Sequence, residues 1–376
     1  MPFIPLDPRV SGSAAARDYI EMTEPYVLVV QDDTIVSNLD IISQIVAIRI
    51  SCGGEAWNSW LSLSGIFSLS PCPSEVPLKI ESTKPPGSEL VLILFTRGTT
   101  ATPKACPHTA RNLWSSTFNY DSNTSGAYNE RWLVHTPSFH IFAIGNALRA
   151  WRQGGCVVFG SKTFDISASI YALVHEKCTR MGAVPTLAHA LLEHPSFPAK
   201  DALSLNYISL EGTFITEADV NLCKRFGSDS VLPAYGMSEG SPIAAWNRKD
   251  PLWQKGFHPG VGKVLPGCRI RICSPGMTDV LHRGDVGELH VGGTSVIEKY
   301  MYSAGSDSFY EDDKRTWLMT GDQAFINEKD VLYITGRLKD IIIRGGENIA
   351  PAKIESFLGR IPGFTVSILP MIAQSG

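Results

Sequence analysis

No apolar run in the 376 residues approaches the length of a membrane-spanning helix, so no helical span is expected. The opening, Met1 to Arg9, has neither a basic start nor a following apolar core, and does not read as a secretory signal. The ending, Ala373 to Gly376, is not the peroxisomal tripeptide. Eight cysteines, at 52, 72, 106, 156, 178, 223, 268 and 273, form no Cys-x-x-Cys pair, and Cys268 and Cys273 do not combine with nearby histidines into a zinc spacing. A disulfide or zinc framework is therefore not expected; a reduced, cytoplasmic setting is. A formal net charge of −4 supplies no basic footprint for nucleic acid. Internal repeats and low-complexity tracts are absent too.

What is present suits a globular protein: 44% hydrophobic and 19% charged residues, and length for a large core and two domains. Through the middle, short buried strands (Gly155 to Phe159, Met181 to Val184, Leu205 to Leu210) alternate with helical segments. The helical segments are His108 to Thr117, Ile166 to Lys177 and the residues from Pro185 to Leu192. Ile170, Leu173 and Val174 share one helical face. Such alternation predicts a parallel α/β layer architecture, in which ligands gather at the carboxyl ends of the strands. From about Pro259 the rhythm becomes short strands and turns, at Arg269 to Cys273, Gly287 to Gly293 and Val331 to Thr335. A small β-rich subdomain is expected there.

Glu89 to Lys104 carries the strongest chemical signal. Leu90 to Phe95 is continuously apolar, the pattern of a strand buried on both faces of a parallel sheet. It stops in a hydroxyl-rich loop. Gly98 permits a tight turn in which successive N–H groups converge on an anion. Thr96, Thr99, Thr100 and Thr102 can donate hydroxyl hydrogen bonds to phosphate, and Lys104 supplies a compact positive charge. The spacing is not that of a Walker loop. Taken alone, the loop also reads as a surface turn between strand and helix.

The loop resembles the phosphate-binding signature of the adenylate-forming superfamily: acyl- and aryl-CoA ligases, peptide-synthetase adenylation domains and luciferases. Thr96, Gly98, Thr99, Thr100, Pro103 and Lys104 match Thr-Ser-Gly-Thr-Thr-Gly-x-Pro-Lys, while Arg97 and Ala101 depart from it. Val231 to Gly240 resembles the family's Tyr-Gly-x-Thr-Glu. In it Tyr235 and Gly236 would meet adenine, Ser238 phosphate, and Glu239 a Mg²⁺ ion that takes only one or two protein ligands. Thr320 to Asp322 is similar to a third signature, with Asp322 accepting from the ribose hydroxyls. Gly336 to Pro351 is similar to a fourth. There the resemblance assigns Arg337 to ribose or phosphate, Asp340 to a hinge, and Gly345 and Gly346 to a loop that turns inward for thioester formation. Gly212 falls where family members line adenine and substrate. Phe139 and His140 match a Pro-x-Phe-His that frames the acyl or aryl pocket, with Met237 as a further wall. A packed aromatic and a hydrogen-bonded core histidine is the other reading of that pair. Trp132 and Phe142 add to a weighting toward an apolar or aromatic acid. Gly287 to Leu289 with Tyr300 matches a structural motif, and no chemistry is assigned to it.

The resemblance implies an α/β protein most like an acyl-CoA synthetase of the 4-coumarate–CoA ligase kind. Residues 1–335 would be the large N-terminal lobe of stacked α/β sheets, including the β-rich subdomain at about 259–335. Residues 336–376 would hold the hinge and the start of a C-terminal lid, in which Asn348 to Leu358 begins a helix. ATP, Mg²⁺ and CoA are implied, with a small carboxylic acid as substrate and Lys104 and Glu239 as catalytic groups. The family also includes peroxisomal members. Its late lysine, which bridges carboxylate and α-phosphate, has no counterpart, since Ile361 to Gly376 contains no lysine. Three other readings therefore stay open: an adenylation domain loading a carrier pantetheine, a non-catalytic nucleotide-binding protein, and a truncated product that does not fold.

Overall fold

The computed structural model describes residues 2–7, 14–31, 39, 46–53, 60–69, 87–96, 103–117, 129–228, 230–254, 260–302, 306–340, 342–344, 347–349, 351 and 354. The chain divides into two compact units, Pro5–Pro85, and Met1–Ile4 together with Pro86–Gly376.

The smaller unit contains helix α1 (Ala14–Thr23), strands β1 (Val27–Val30), β2 (Ile48–Ser51) and β3 (Leu61–Ser62), and helix α2 (Leu63–Leu69). Its strands pair in parallel in the order β1-β2-β3, with Val27 opposite Ile48 and Ile50 opposite Leu61. Ala16 and Ile20 of α1 bury their side chains with Val30, Leu39, Val46 and Trp60.

In the larger unit, β4 (Leu90–Thr96) and β5 (Lys104–Thr109) form an antiparallel pair with Thr96 opposite Lys104. This corrects the expectation of a strand within a parallel sheet. Only Leu92, Ile93 and Leu94 are buried, and an apolar run does not report the direction of its partner. The expected helix from His108 also starts later, as α3 (Ala110–Thr117). Pro107 and His108 belong to β5, which pairs along its length with β4 and is bridged on its other side by Met301 at Ala105, so Pro107, outside that bridge, is tolerated without an N–H.

The α/β expectation holds in the next segment. Strand β6 (Arg131–Leu133), helix α4 (Ile141–Arg152), β7 (Cys156–Val158), α5 (Ile166–His175), β8 (Arg180–Ala183), α6 (Pro185–Glu193), β9 (Tyr207–Leu210), α7 (Glu217–Cys223) and β10 (Val231–Met237) alternate. Strands β11 (Gly240–Ala245) and β12 (Lys263–Val264) complete a seven-stranded sheet, in the order β12-β11-β10-β9-β8-β6-β7. Pairing is parallel from β7 to β10 and antiparallel from β10 to β12. Helix starts follow local chemistry. Asp165 accepts from the Ala168 N–H at the head of α5, Pro185 stands in the first turn of α6, and Thr216 and Asp219 form a reciprocal capping box on α7. Leu133, Leu173, Met181, Leu191, Ile208 and Phe226 fill the core between sheet and helices. Trp132, weighted above toward the substrate, is a core residue, 1% exposed and beneath the Arg180 guanidinium.

The β-rich part is a five-stranded antiparallel sheet of β13 (Cys268–Cys273), β14 (Gly287–Gly293), β15 (Phe309–Asp312), β16 (Arg315–Ile326) and β17 (Leu332–Arg337). A last hairpin joins β18 (Ile342–Arg344) and β19 (Glu347–Ile349). Asn348 thus lies in a strand, where a helix is expected from the sequence, while Pro351 and Ile354 are helical; the rest of that helix lies outside the described residues.

Candidate active site

The β10–β11 turn carries Ser238 and Glu239, and close backbone approach holds it in place. A Cβ on Gly236 would stand 2.5 Å from Ser241 Oγ, and one on Gly240 would stand 2.9 Å from the Ser295 carbonyl. Only glycine fits at either point. The Ile297 N–H donates to the Glu239 carbonyl at 2.9 Å. His108 holds the other side, its Nε2 lying 2.7 Å from the Ser238 carbonyl. A carbonyl only accepts, so Nε2 carries the proton. Burial pushes the His108 pKa down to about 4, which keeps the ring neutral.

Glu239 is 6% exposed, and its Oε1 accepts from the Tyr300 hydroxyl at 2.5 Å. Lys104 lies over the same ring, Nζ to centroid 4.8 Å. Met301 N–H donates to the Ala105 carbonyl, tying Lys104 and Tyr300 together through the backbone. Burial raises the Glu239 carboxyl above its ordinary range; the Tyr300 hydroxyl and Lys104 pull it back without cancelling the effect, and Asp322 adds to the rise.

Asp322 is 5% exposed and stands opposite Arg337 in the β16–β17 pairing. Its Oδ2 accepts from the Tyr235 hydroxyl at 2.6 Å, and its Oδ1 lies 3.1 Å from Arg337 Nε. Burial raises this carboxyl too, with Arg337 and Tyr235 opposing and Glu288 adding to the rise. Each of these two buried carboxylates is thus bonded to a tyrosine hydroxyl, Glu239 to Tyr300 and Asp322 to Tyr235.

Thr96 and Lys104 pair at the two ends of the expected phosphate loop; Gly98, Thr99 and Thr100, with Arg97, Ala101 and Thr102, lie outside the described residues, as do Gly345 and Gly346. Gly212 turns at φ +91°, and its neighbour Glu211 accepts from Ser209 at 2.8 Å and Ser241 at 3.5 Å, linking β9 to β11. Met237 Sδ lies 3.9 Å from the Tyr235 hydroxyl. Phe139 and His140 pack against each other, centroids 4.5 Å apart, at the head of α4, a helix that packs on β11. Arg337 and Asp340 are exposed where β17 runs into the 338–340 turn.

His140 is exposed, so it is not the core histidine of the second reading. That description fits His135, which sequence reasoning passed over. His135 is 6% exposed, bonds the Gly182 carbonyl at 3.0 Å, and is pushed down to about 4 by burial. Tyr300 and His108 were missed as site residues because their partners lie far away in sequence, and nothing local reports them.

A family profile described as AMP-binding enzyme matches residues 1–301. The chain is 32% identical over 277 residues to a putative acyl-CoA synthetase, YngI, of Bacillus subtilis, covering 71% of this chain and 49% of that protein. It is 28% identical over 362 residues to indoleacetate–CoA ligase of Aromatoleum aromaticum, covering 96% of this chain and 68% of that protein. ATP-bound MatB from Rhodopseudomonas palustris shares the fold, with a TM-score of 0.78 at 24% identity over 96% of this chain and 69% of that one. The anthranilate CoA ligase AuaEII, in complex with anthranoyl-AMP, also shares it, with a TM-score of 0.82 at 18% identity over 96% and 68%. The chain spans about half the length of several curated relatives it matches. Because the profile match takes in the β4–β5 hairpin, the β10–β11 turn and Tyr300, the chain belongs to the AMP-binding enzyme family.

Proposed function

We propose that this protein activates a carboxylic acid with ATP and passes the acyl group to CoA. One observation carries the reading: residues far apart in sequence meet at two buried carboxylates, Tyr235 and Arg337 at Asp322, and Tyr300, with Lys104 over its ring, at Glu239. In the first step a substrate carboxylate oxygen bonds to the α-phosphorus, and the bond to the β-phosphate breaks with its electron pair leaving on pyrophosphate. In the second, a CoA sulfur, having given up its proton, bonds to the acyl carbon and AMP leaves. The CoA ligases among the relatives support CoA as the acceptor.

Asp322 anchors the ribose hydroxyls, and Tyr235, fixed by its bond to Asp322, meets adenine together with Gly236 and Gly212. Thr96, Gly98, Thr99, Thr100, Ser238 and Lys104 hold the phosphates. Glu239 would hold Mg²⁺, which when bound neutralises charge on the leaving pyrophosphate. The donor chemistry fits: Glu239 offers a hard carboxylate oxygen, and Mg²⁺ asks for only one or two protein carboxylates. Phe139, His140 and Met237 face the acid. Residues 1–335 act as the large lobe, and 336–376 begin a second part that turns about Asp340. No helix of the described residues is long and apolar enough to cross a membrane, and a cytoplasmic setting is part of this proposal.

Carboxylate-dependent exchange of labelled pyrophosphate into ATP, with Mg²⁺ and a panel of fatty, aryl and amino acids, tests the reading. Exchange with one acid class is expected. A folded, ATP-binding protein that exchanges with none would favour the non-catalytic alternative, and an amino acid preference would favour a carrier-loading domain.

A further inference from the structure

Behind the Asp322 carboxylate runs a second polar chain that the proposed chemistry does not use. It starts at Arg271 on β13, whose Nε and Nη2 lie 3.0 and 2.5 Å from the Tyr310 hydroxyl oxygen. The same guanidinium reaches Asp312 at 2.6 Å and lies 4.2 Å over the Trp317 ring. A guanidinium only donates, so the Tyr310 oxygen accepts and its own proton goes to His290 Nδ1, 2.6 Å away. With Nδ1 accepting, the ring presents an N–H at Nε2.

His290 is fully buried, and its Nε2 has no hydrogen-bond partner; it points at Glu288 Oε2 from 3.7 Å, a charge–dipole contact. Glu288 in turn accepts from the Gly276 N–H at 2.8 Å and from the Gly321 N–H at 3.0 Å. Burial pushes the Glu288 carboxyl up, but His290 and these two N–H groups outweigh it and leave the group below its ordinary range.

Gly321 is the residue before Asp322. Its φ is +72°, and a Cβ there would meet nothing within 4 Å, so no steric wall fixes this turn. Hydrogen bonds do: Glu288 holds the Gly321 N–H, Thr320 Oγ accepts from the Asp322 N–H at 3.0 Å, and the Thr320 hydroxyl donates to the Leu289 carbonyl at 2.7 Å. We infer that His290 and Tyr310 are positioning residues that act through Glu288 to set the Gly321–Asp322 turn, and with it the grip on the nucleotide sugar. The inference rests on the reading of Asp322 as the ribose anchor.

Binding of ATP and of 2′,3′-dideoxy-ATP to the 376-residue chain, measured by titration calorimetry, separates sugar positioning from general loss of structure. Tyr310→Phe and His290→Leu are expected to weaken ATP binding about three- to tenfold, the scale of one misplaced buried hydrogen bond, and to leave dideoxy-ATP affinity as in the parent protein. His290→Gln, which keeps an N–H directed at Glu288, is expected to restore most of the loss. Equal losses for both nucleotides, or no loss in either variant, would overturn the inference. Tyr310→Phe keeps the ring beside Arg271, so the test survives if His290→Leu fails to fold. Asp322→Ala is the control and should bind the two nucleotides alike. A preference for ATP persisting in that variant would remove the ribose reading itself, whereas its loss there with Tyr310→Phe unaffected would remove only the role given to His290 and Tyr310.

Discussion

Tyr300 donates to Glu239 at 2.5 Å and Lys104 lies over its ring, yet burial wins and the Glu239 pKa stays above its ordinary 4.5. The folded protein therefore binds this proton more tightly than the unfolded chain does. Stability from the group is complete below the unfolded value near 4.5 and is lost as pH rises through the folded value, so ionising this buried carboxyl works against the fold. Glu239→Gln is expected to raise the thermal midpoint at neutral pH while cutting pyrophosphate exchange about a hundredfold or more. A lower midpoint with exchange intact would refute both halves. Tyr300→Phe removes the hydroxyl that lowers this pKa, so the acid limb of the exchange–pH profile should move to higher pH; an unmoved limb would show that Glu239 does not set it.

At the level of elements, α4 lies so close on β8 that a Cβ on Gly182 would stand 2.4 Å from Asn146 Nδ2 and 2.7 Å from Phe142 Cζ. Gly182→Ala should therefore destabilise the protein by about 1–3 kcal/mol in chemical denaturation, the usual cost of overpacking. A variant as stable as the parent would mean that α4 can slide outward. The strand–helix alternation from residue 155 to 210 was legible because buried strands and amphipathic helices differ in period and length. The β4–β5 hairpin was not, because pairing direction depends on a partner and Pro107 argues against a strand until its place outside the Ala105–Met301 bridge is known.

For the whole molecule, the raised pair Glu239 and Asp322 opposes Glu130, Asp250 and Glu288, whose carboxyls lie below their ordinary range. The lowered group gives stability above the ordinary carboxylate values and loses it as pH falls through the folded ones; the raised pair does the reverse. MgATP is expected to stabilise the fold by about 2.7 kcal/mol at a hundredfold excess over Kd. If it binds ionised Glu239, the thermal shift it produces should be larger at neutral pH than in mild acid. A shift independent of pH would show that Glu239 does not take part in binding.

By itself, the sequence determined the four signatures and their order, the apolar cores of the strands and the residues proposed for phosphate, metal and sugar, because each is written in side-chain chemistry and short spacing. Tertiary structure alone decided that Tyr300 holds Glu239 and Tyr235 holds Asp322, pairs 61 and 87 positions apart. It also decided that His135 rather than His140 lies in the core, and that both carboxyls are driven upward. The reason is physical: a hydrogen bond across a fold, and the loss of water that shifts a pKa, depend on which distant segments the topology brings together, and no local spacing carries that information.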